Sequence, residues 1–235
     1  MPVYKHIFFD LDHTLWDFDK NSAEALCDLY EQFGLAGRYS FTTDEFCKAF
    51  REVNFHLWRM HQLGNYGQAQ LRAERFPLIF GKLGLKDTEL DAGEMSLLAE
   101  AYLQLCPTKP HVFPHTHEVL GYLQDRYQLH ILTNGFSDVQ WIKLRSAGLS
   151  AYFKEIVTSD DAGFRKPQAD IFHYSLRRIS AECSECLMIG DNLETDMDGA
   201  LGVGMDCIFF NPAKIQHQSR ITYEISCLSQ LKGIL

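Results

Sequence analysis

Two aspartates, Asp10 and Asp12, interrupt the apolar run HIFFDLDHT (6–14). Residues i and i+2 of a strand point to one face, so a strand through this run sets two carboxylates side by side. Like charges that close repel, and burying either is costly unless it is paired or metal-bound. Two further apolar runs also close in polar residues. LHILTNG (129–135) reaches Thr133 and Asn134, and CLMIGD (186–191) reaches Asp191. In an open parallel sheet, ligands bind outside the carboxyl ends of the strands, and those ends are where these residues fall. Taken singly each is weak, because Asp and Asn commonly terminate strands and start turns.

A basic group accompanies them. In GFRKPQADIF (163–172), Lys166 precedes Pro167, which suits the first turn of a helix. A cation at a helix N-terminus opposes the macrodipole, so Arg165 and Lys166 there point to an anion nearby. The bland alternative is a solvated lysine on a loop.

Charge arithmetic then bears on the two aspartates. If Asp10, Asp12 and Asp191 converge, Lys166 alone cannot neutralise them, and a phosphate substrate adds up to two more negative charges. Each unit-charge repulsion at about 4 Å is worth about 4 kcal/mol at an effective dielectric near 20. A hard divalent cation with oxygen ligands resolves this, and Mg²⁺ is held by one or two carboxylates, waters and substrate phosphate. The pattern predicts Mg²⁺ as cofactor.

The elements that must position these residues alternate. Buried strands are expected at 5–12, 129–135, 186–191 and 205–210, with a weaker one at 154–161. Amphipathic patterns at 138–149, 168–180 and 195–204 lie between the later ones, which implies a parallel α/β sheet. The first connection is far longer than a crossover requires. Residues 21–106 hold no convincing strand but several helical patterns, at 22–34, 42–64 and 91–106, and Thr42 with Glu45 has capping-box spacing. The expected architecture is a Rossmann-like α/β core, residues 1–15 and 107–235, with an inserted helical cap domain over 16–106. Pro107, Pro110 and Pro114 stiffen the return.

The 235 residues, 46% hydrophobic and 23% charged, are those of a globular protein able to bury a sizeable core. A net charge of −9 argues against a nucleic acid polymer as partner. No apolar run approaches the roughly 20 residues that span a bilayer, and no secretory signal is evident at the N-terminus. Seven cysteines, without regular spacing, argue for free thiols and a reducing, cytoplasmic location. Cys183 and Cys186 have zinc-knuckle spacing, but nothing completes a tetrahedral site. His115 and His117 diverge on a helix and read as capping or surface groups.

Four motifs together, DLDHT (10–14), LTN (132–134), Lys166-Pro167 and GDNLETD (190–196), resemble the signature motifs of the haloacid dehalogenase-like hydrolases. The long helical insertion resembles that family's type 1 cap. The resemblance implies Asp10 as nucleophile, forming an aspartyl-phosphate. It implies Asp12 as the acid that protonates the leaving oxygen and then the base that activates water, so Asp12 must carry a proton in the first step. Thr133, Asn134 and Lys166 would bind the phosphoryl group, with Lys166 also offsetting charge on the nucleophile. Mg²⁺ would be held by the Asp10 and Asp191 carboxylates and the Asp12 carbonyl. Asp196 would support that shell, or serve only as an acid at a helix N-terminus. Family members that are true dehalogenases lack the acid two residues after the nucleophile; Asp12 is present, which favours a phosphatase.

The run TNGFSDVQWIKLRSAGLSAYFKEIVTSDDAGFRKPQADIF (133–172) is similar to the nucleotidases of this superfamily that act on pyrimidine nucleoside monophosphates. Gly135, Phe136 and Gln140 carry much of that similarity, and each also reads as turn or core. Trp16 and Phe18 stand at the cap entrance as candidate stacking partners for a base, against the plainer reading of hinge packing. His13 could gate substrate or position the backbone. The leading expectation is a Mg²⁺-dependent phosphomonoesterase for a nucleoside 5′-monophosphate, a monomer or small homo-oligomer without membrane partners. Two alternatives stay open: a phosphatase for sugar phosphates or phosphoglycolate, and a phosphate- or nucleotide-binding protein without catalysis.

Overall fold

Six strands form one all-parallel sheet: β1 (His6–Phe9), β2 (Gln128–Thr133), β3 (Phe153–Thr158), β4 (Cys186–Gly190), β5 (Asp206–Phe210) and β6 (Tyr223–Ile225). This computed structural model describes residues 4–235. The strand order is β3-β2-β1-β4-β5-β6, the Rossmann-like order in which the direction of progression reverses between β1 and β4. The first five strands sit where apolar runs predict them. The sixth is three residues long with two of them exposed, so it carries no apolar run to announce it.

The chain divides into two compact units. One comprises the segment through Phe18 together with Pro110–Leu235; the other is Asp19–Lys109. Trp16 and Phe18 thus stay with the α/β unit, and Pro107 with the helical one. The helical unit is built from α1 (Phe18–Gln32), α2 (Thr43–Gln62), α3 (Gln68–Lys82) and α4 (Ala92–Leu105). The capping box expected at Thr42 and Glu45 is formed, an arrangement worth about 1 kcal/mol. The face of α2 that carries Phe46, Ala49, Phe50, Val53 and Leu57 at helical spacing is buried. Phe46 meets Phe41 and Phe80 at ring separations of 5.8 and 6.1 Å, so the centre of this unit is an aromatic cluster. The helix α3 runs through Pro77.

In the α/β unit follow α5 (Thr116–Gln124), α6 (Ser137–Ser146), the single turn α7 (Ser159–Ala162), α8 (Ala169–Ile179) and α9 (Asp198–Gly202). Every residue of β1 and β4 is buried, as the centre of a doubly covered sheet requires. On one face Phe8, Cys186, Met188 and Leu132 pack against Ile171, Phe172 and Leu176 of α8. All seven cysteines are free thiols, and among the described residues no helix is long and apolar enough to cross a membrane.

One polar pair lies inside the sheet. His6 Nδ1 and His130 Nε2, on adjacent strands, are 3.1 Å apart and share one hydrogen bond. Burial, and then the neighbouring His6, push the His130 pKa down to about 4, while an unfolded histidine protonates near 6.5. As the pH falls, the unfolded chain therefore takes up the proton first. This contribution to stability is complete above about pH 6.5 and is lost progressively as the pH drops toward about 4. Urea midpoints measured across that interval should fall more steeply for wild type than for His130→Leu. Equal slopes would show that the buried imidazole does not set the acid sensitivity.

Candidate active site

The carboxyl ends of β1 and β4 meet at the reversal of strand order, the place where such sheets bind ligands. Asp10 follows β1 immediately and Asp191 follows β4 immediately. The register that pairs Phe9 with Ile189 continues through a hydrogen bond from Asp10 N to Ile189 O of 2.9 Å. The two carboxylates are thus neighbours because their strands are. Asp191 Oδ1 also accepts a 3.0 Å hydrogen bond from the Thr14 hydroxyl.

At the centre of the site lies Lys166, 2% exposed. Its ammonium contacts Asp10 Oδ1 at 2.7 Å, the Leu132 carbonyl at 2.8 Å and Asp196 Oδ1 at 2.6 Å. Two of these contacts are hydrogen bonds and the third, to Asp196, is an ion pair. The bland expectation of a solvated loop lysine does not apply, and neither does the placement at a first helical turn: α8 begins at Ala169, with Gln168 in the position before it. The anion inferred beside Lys166 is a pair of the protein's own carboxylates.

Asn134 has a different place from the one expected among phosphate contacts. Its Nδ2 donates to Lys166 O at 3.0 Å and its Oδ1 accepts from Lys166 N at 2.8 Å. Both ends of the amide are bonded to the Lys166 main chain, so the side chain fixes the lysine rather than an anion. Thr133, at the end of β2, accepts hydrogen bonds at Oγ1 from Gly135 N–H and from Gln140 Nε2, both 3.0 Å. With two bonds accepted, the hydroxyl retains its own hydrogen as donor.

Asp196 is 1% exposed and lies in a π-helical turn, Leu193–Met197. The Asn192 side chain caps that turn at the N–H groups of Glu194 and Thr195. Asp196 Oδ2 accepts from Asn192 N–H at 3.1 Å while Oδ1 meets Lys166, so it is far more than an acid favoured at a helix start. Gly190 makes its approach possible, since a Cβ there would stand 2.2 Å from Asp196 Oδ2.

One carboxylate oxygen from each of Asp10, Asp191 and Asp196 lies within 4.8 Å of the others. The cluster is therefore completed by Asp196, where the sequence pattern suggested the Asp12 side chain. The reason is that β1 ends at Phe9, so the two-residue alternation of a strand does not extend to Asp12. Burial first, and then the charges of Asp196 and Asp191, raise the Asp10 pKa against the pull of Lys166. Burial and Asp196 raise that of Asp191 in the same way. Burial alone would lower Lys166, but Asp10 and Asp196 overcome it and hold the ammonium above its ordinary value. Three carboxylates face one ammonium, and the donors are all hard oxygens. The donor set of Asp10, Asp191 and Asp196 carboxylates fits a hard divalent cation such as Mg²⁺.

The Asp12 side chain turns to α6. Lys143 Nζ meets its two oxygens at 2.7 and 2.8 Å, and Gln140 Nε2 donates to Oδ2 at 3.0 Å. Gln140 is completely buried, and Gly135 admits it: a Cβ at 135 would stand 1.6 Å from Gln140 Nε2. Lys143 was not legible as a site residue. The available signal was its i, i+3 spacing from Gln140 on an otherwise apolar helix face.

Trp16 is fully buried and cannot stack on a base in this structure. Its backbone bridges to Asp12 and Val112, and its ring lies 4.6 Å beneath Lys143 Nζ. Phe18, half-buried, packs against His13 and Trp16 at 5.1 and 6.1 Å. His13 takes the left-handed backbone conformation, φ 63°, and turns the chain beyond Asp12.

A sequence profile described as a haloacid dehalogenase-like hydrolase matches residues 4–204. The pyrimidine 5′-nucleotidase PynA of Streptococcus pneumoniae is 31% identical over 99% of the chain and 95% of its own length. A glyceraldehyde 3-phosphate phosphatase of Methanothermobacter thermautotrophicus is 28% identical over 99% of the chain and all of its own. The crystal structure of the HAD-hydrolase YfnB from Bacillus subtilis, bound to magnesium, has a TM-score of 0.84 and 31% identity, covering 99% of this chain and 98% of that one. With phosphatases among its full-length relatives, the chain belongs to the haloacid dehalogenase-like hydrolases.

Proposed function

We propose that the protein is a Mg²⁺-dependent phosphomonoesterase that works through an aspartyl-phosphate, with pyrimidine nucleoside 5′-monophosphates as its substrate class. The observation that carries this reading is the clustering of the Asp10, Asp191 and Asp196 carboxylates at the reversal point of the sheet, with the Lys166 ammonium paired to Asp10 and Asp196. Lys166 occupies Asp10 Oδ1, which leaves Oδ2 to attack phosphorus, and its charge offsets that of the nucleophile and the phosphoryl group. The Thr133 hydroxyl, with its hydrogen directed outward by its two accepted bonds, binds a phosphoryl oxygen. Asp12 gives a proton to the leaving oxygen and takes one from the water that hydrolyses the intermediate. Asp196 keeps Lys166 and Asp10 in register. A Mg²⁺ held by Asp10, Asp191 and the Asp12 carbonyl would supply the positive charge that lets an anionic ester approach these carboxylates.

The nucleotide assignment draws support from the full-length similarity to PynA. The similarity to a glyceraldehyde 3-phosphate phosphatase favours a second reading, a sugar-phosphate phosphatase with the same core chemistry. The core groups recognise phosphate alone, so choice between the two falls to other surfaces, those of the helical cap foremost.

Asp10→Asn should fold, because Lys166 keeps Asp196 as an ionic partner, and should lose essentially all turnover of p-nitrophenyl phosphate. Turnover close to wild type, measured on protein with native circular dichroism, would exclude Asp10 as nucleophile. On a panel of phosphomonoesters, kcat/KM for UMP or dUMP should exceed that for glyceraldehyde 3-phosphate and other sugar phosphates. A panel in which a sugar phosphate outranks every nucleotide would remove the nucleotidase reading and leave the phosphatase chemistry standing.

A further inference from the structure

Lys143 and Gln140 are buried polar side chains that the chemistry above does not use. Both lie on the inward face of α6 and both end on the same carboxylate. Lys143, 6% exposed, reaches both oxygens of Asp12, at 2.7 and 2.8 Å, and Gln140 reaches Oδ2 at 3.0 Å. Burying an ammonium and an amide nitrogen is costly unless each is bonded. Here both bond Asp12, and Gln140 Nε2 also reaches Thr133, while Gln140 Oε1 has no partner among the described residues. The orientation of the Gln140 amide follows from its company: a carboxylate oxygen only accepts, so the nitrogen must face it.

Asp12 sits past the end of β1, where its backbone is bridged to Trp16 but no strand ladder continues to fix its side chain. A carboxylate there can rotate about two torsions, and proton transfer needs one of its oxygens at hydrogen-bond distance from the reacting oxygen. We infer that Lys143, braced by Trp16 and assisted by Gln140, is the positioning residue that aims Asp12 for its acid and base steps, an inference that rests on the phosphatase reading. The Trp16 ring, 4.6 Å from the Lys143 ammonium, and that of Phe18, 5.8 Å away, form the wall against which the lysine is held. Gln140 extends the hold to the phosphate end of the site, because the same Nε2 donates to the Thr133 hydroxyl at 3.0 Å. One buried amide thus spaces the proton-transfer group from the phosphate-binding group. The two aromatics at the cap entrance accordingly act on the reaction from beneath Lys143.

A residue that works only through Asp12 must fail where Asp12 is needed and nowhere else. In the first step a p-nitrophenolate leaves without a proton, whereas an alkoxide does not. Hydrolysis of the aspartyl-phosphate needs Asp12 as base whichever ester formed it, so the readout is the rate of phenol or alcohol release in the first turnover. Wild type, Lys143→Met, Asp12→Asn and the double variant should be compared with Mg²⁺ on p-nitrophenyl phosphate and on the alkyl phosphate that wild type hydrolyses fastest. Lys143→Met should lower the first-turnover rate of alcohol release from the alkyl ester by about 10²-fold, the scale of a misplaced catalytic group. Its loss on p-nitrophenyl phosphate should be much smaller, and in the Asp12→Asn background it should add nothing. Lys143→Arg, which keeps charge and donors, should restore part of the alkyl-ester rate. Should Lys143→Met not fold, Lys143→Gln carries the same expectation. Equal losses on both esters, no loss on either, or a full further loss in the Asp12→Asn background would overturn the inference. A wild-type enzyme inactive on every phosphate ester would instead overturn the reading on which it rests.

Discussion

Everything at the sheet's carboxyl edge is arranged around one buried cation. The Lys166 ammonium, out of contact with water, is shared by Asp10, Asp196 and the Leu132 carbonyl. Stripping a partner from a buried ion pair costs about 3–5 kcal/mol, so the carboxylates and the lysine hold one another in place. The surrounding chain serves that contact. Asn134 pins the Lys166 main chain, Asn192 caps the turn that delivers Asp196, and Gly190 gives Asp196 the room to approach.

The arrangement is stable as a framework and unbalanced in charge. Lys166 pairs with one oxygen of Asp10 and one of Asp196, while the Asp191 side chain accepts from the neutral Thr14 hydroxyl. Burial and mutual repulsion raise both Asp10 and Asp191. On the proposed mechanism Asp10 attacks as a carboxylate, yet it sits where its charged form is disfavoured; a divalent cation held by Asp10 and Asp191 would reverse that. Asp12 is separated from this tension, paired instead with Lys143 on α6. Asp10 and Asp12, two residues apart in the chain and proposed as nucleophile and proton-transfer group, are held by two different lysines.

Asp10, Thr133, Asp191 and Lys166 were legible in the sequence because each stands beside a strong local signal, the end of an apolar strand or a proline. Strand pairing then brings distant segments together, and the sheet order does what no local pattern could show. Where the reading went astray, a longer-range contact decided. Trp16 has the composition of a stacking platform, but its backbone bridges to Asp12 and Val112 draw it inside. Asn134 looks like a phosphate ligand until Lys166 is placed beside it. Asp12 follows a strand that stops one residue before Asp10, so the alternation rule placed its side chain wrongly. Lys143 lies 131 positions from Asp12, and its only local mark is the i, i+3 spacing from Gln140, which does not name a partner. The helix α3 was not singled out because Gly67 and Pro77 obscure its periodicity, and the short β6 carries no apolar run at all.

The claim on which the account depends is that the Asp10–Asp191 pair is completed by a divalent cation. Calorimetric titration of Mg²⁺ into chelator-treated wild type and into Asp191→Asn tests it without reference to any substrate. The account predicts saturable binding to wild type that is abolished or greatly weakened in Asp191→Asn, with the folded state of both intact by circular dichroism. Equal binding by the two proteins, or none by wild type, would contradict it.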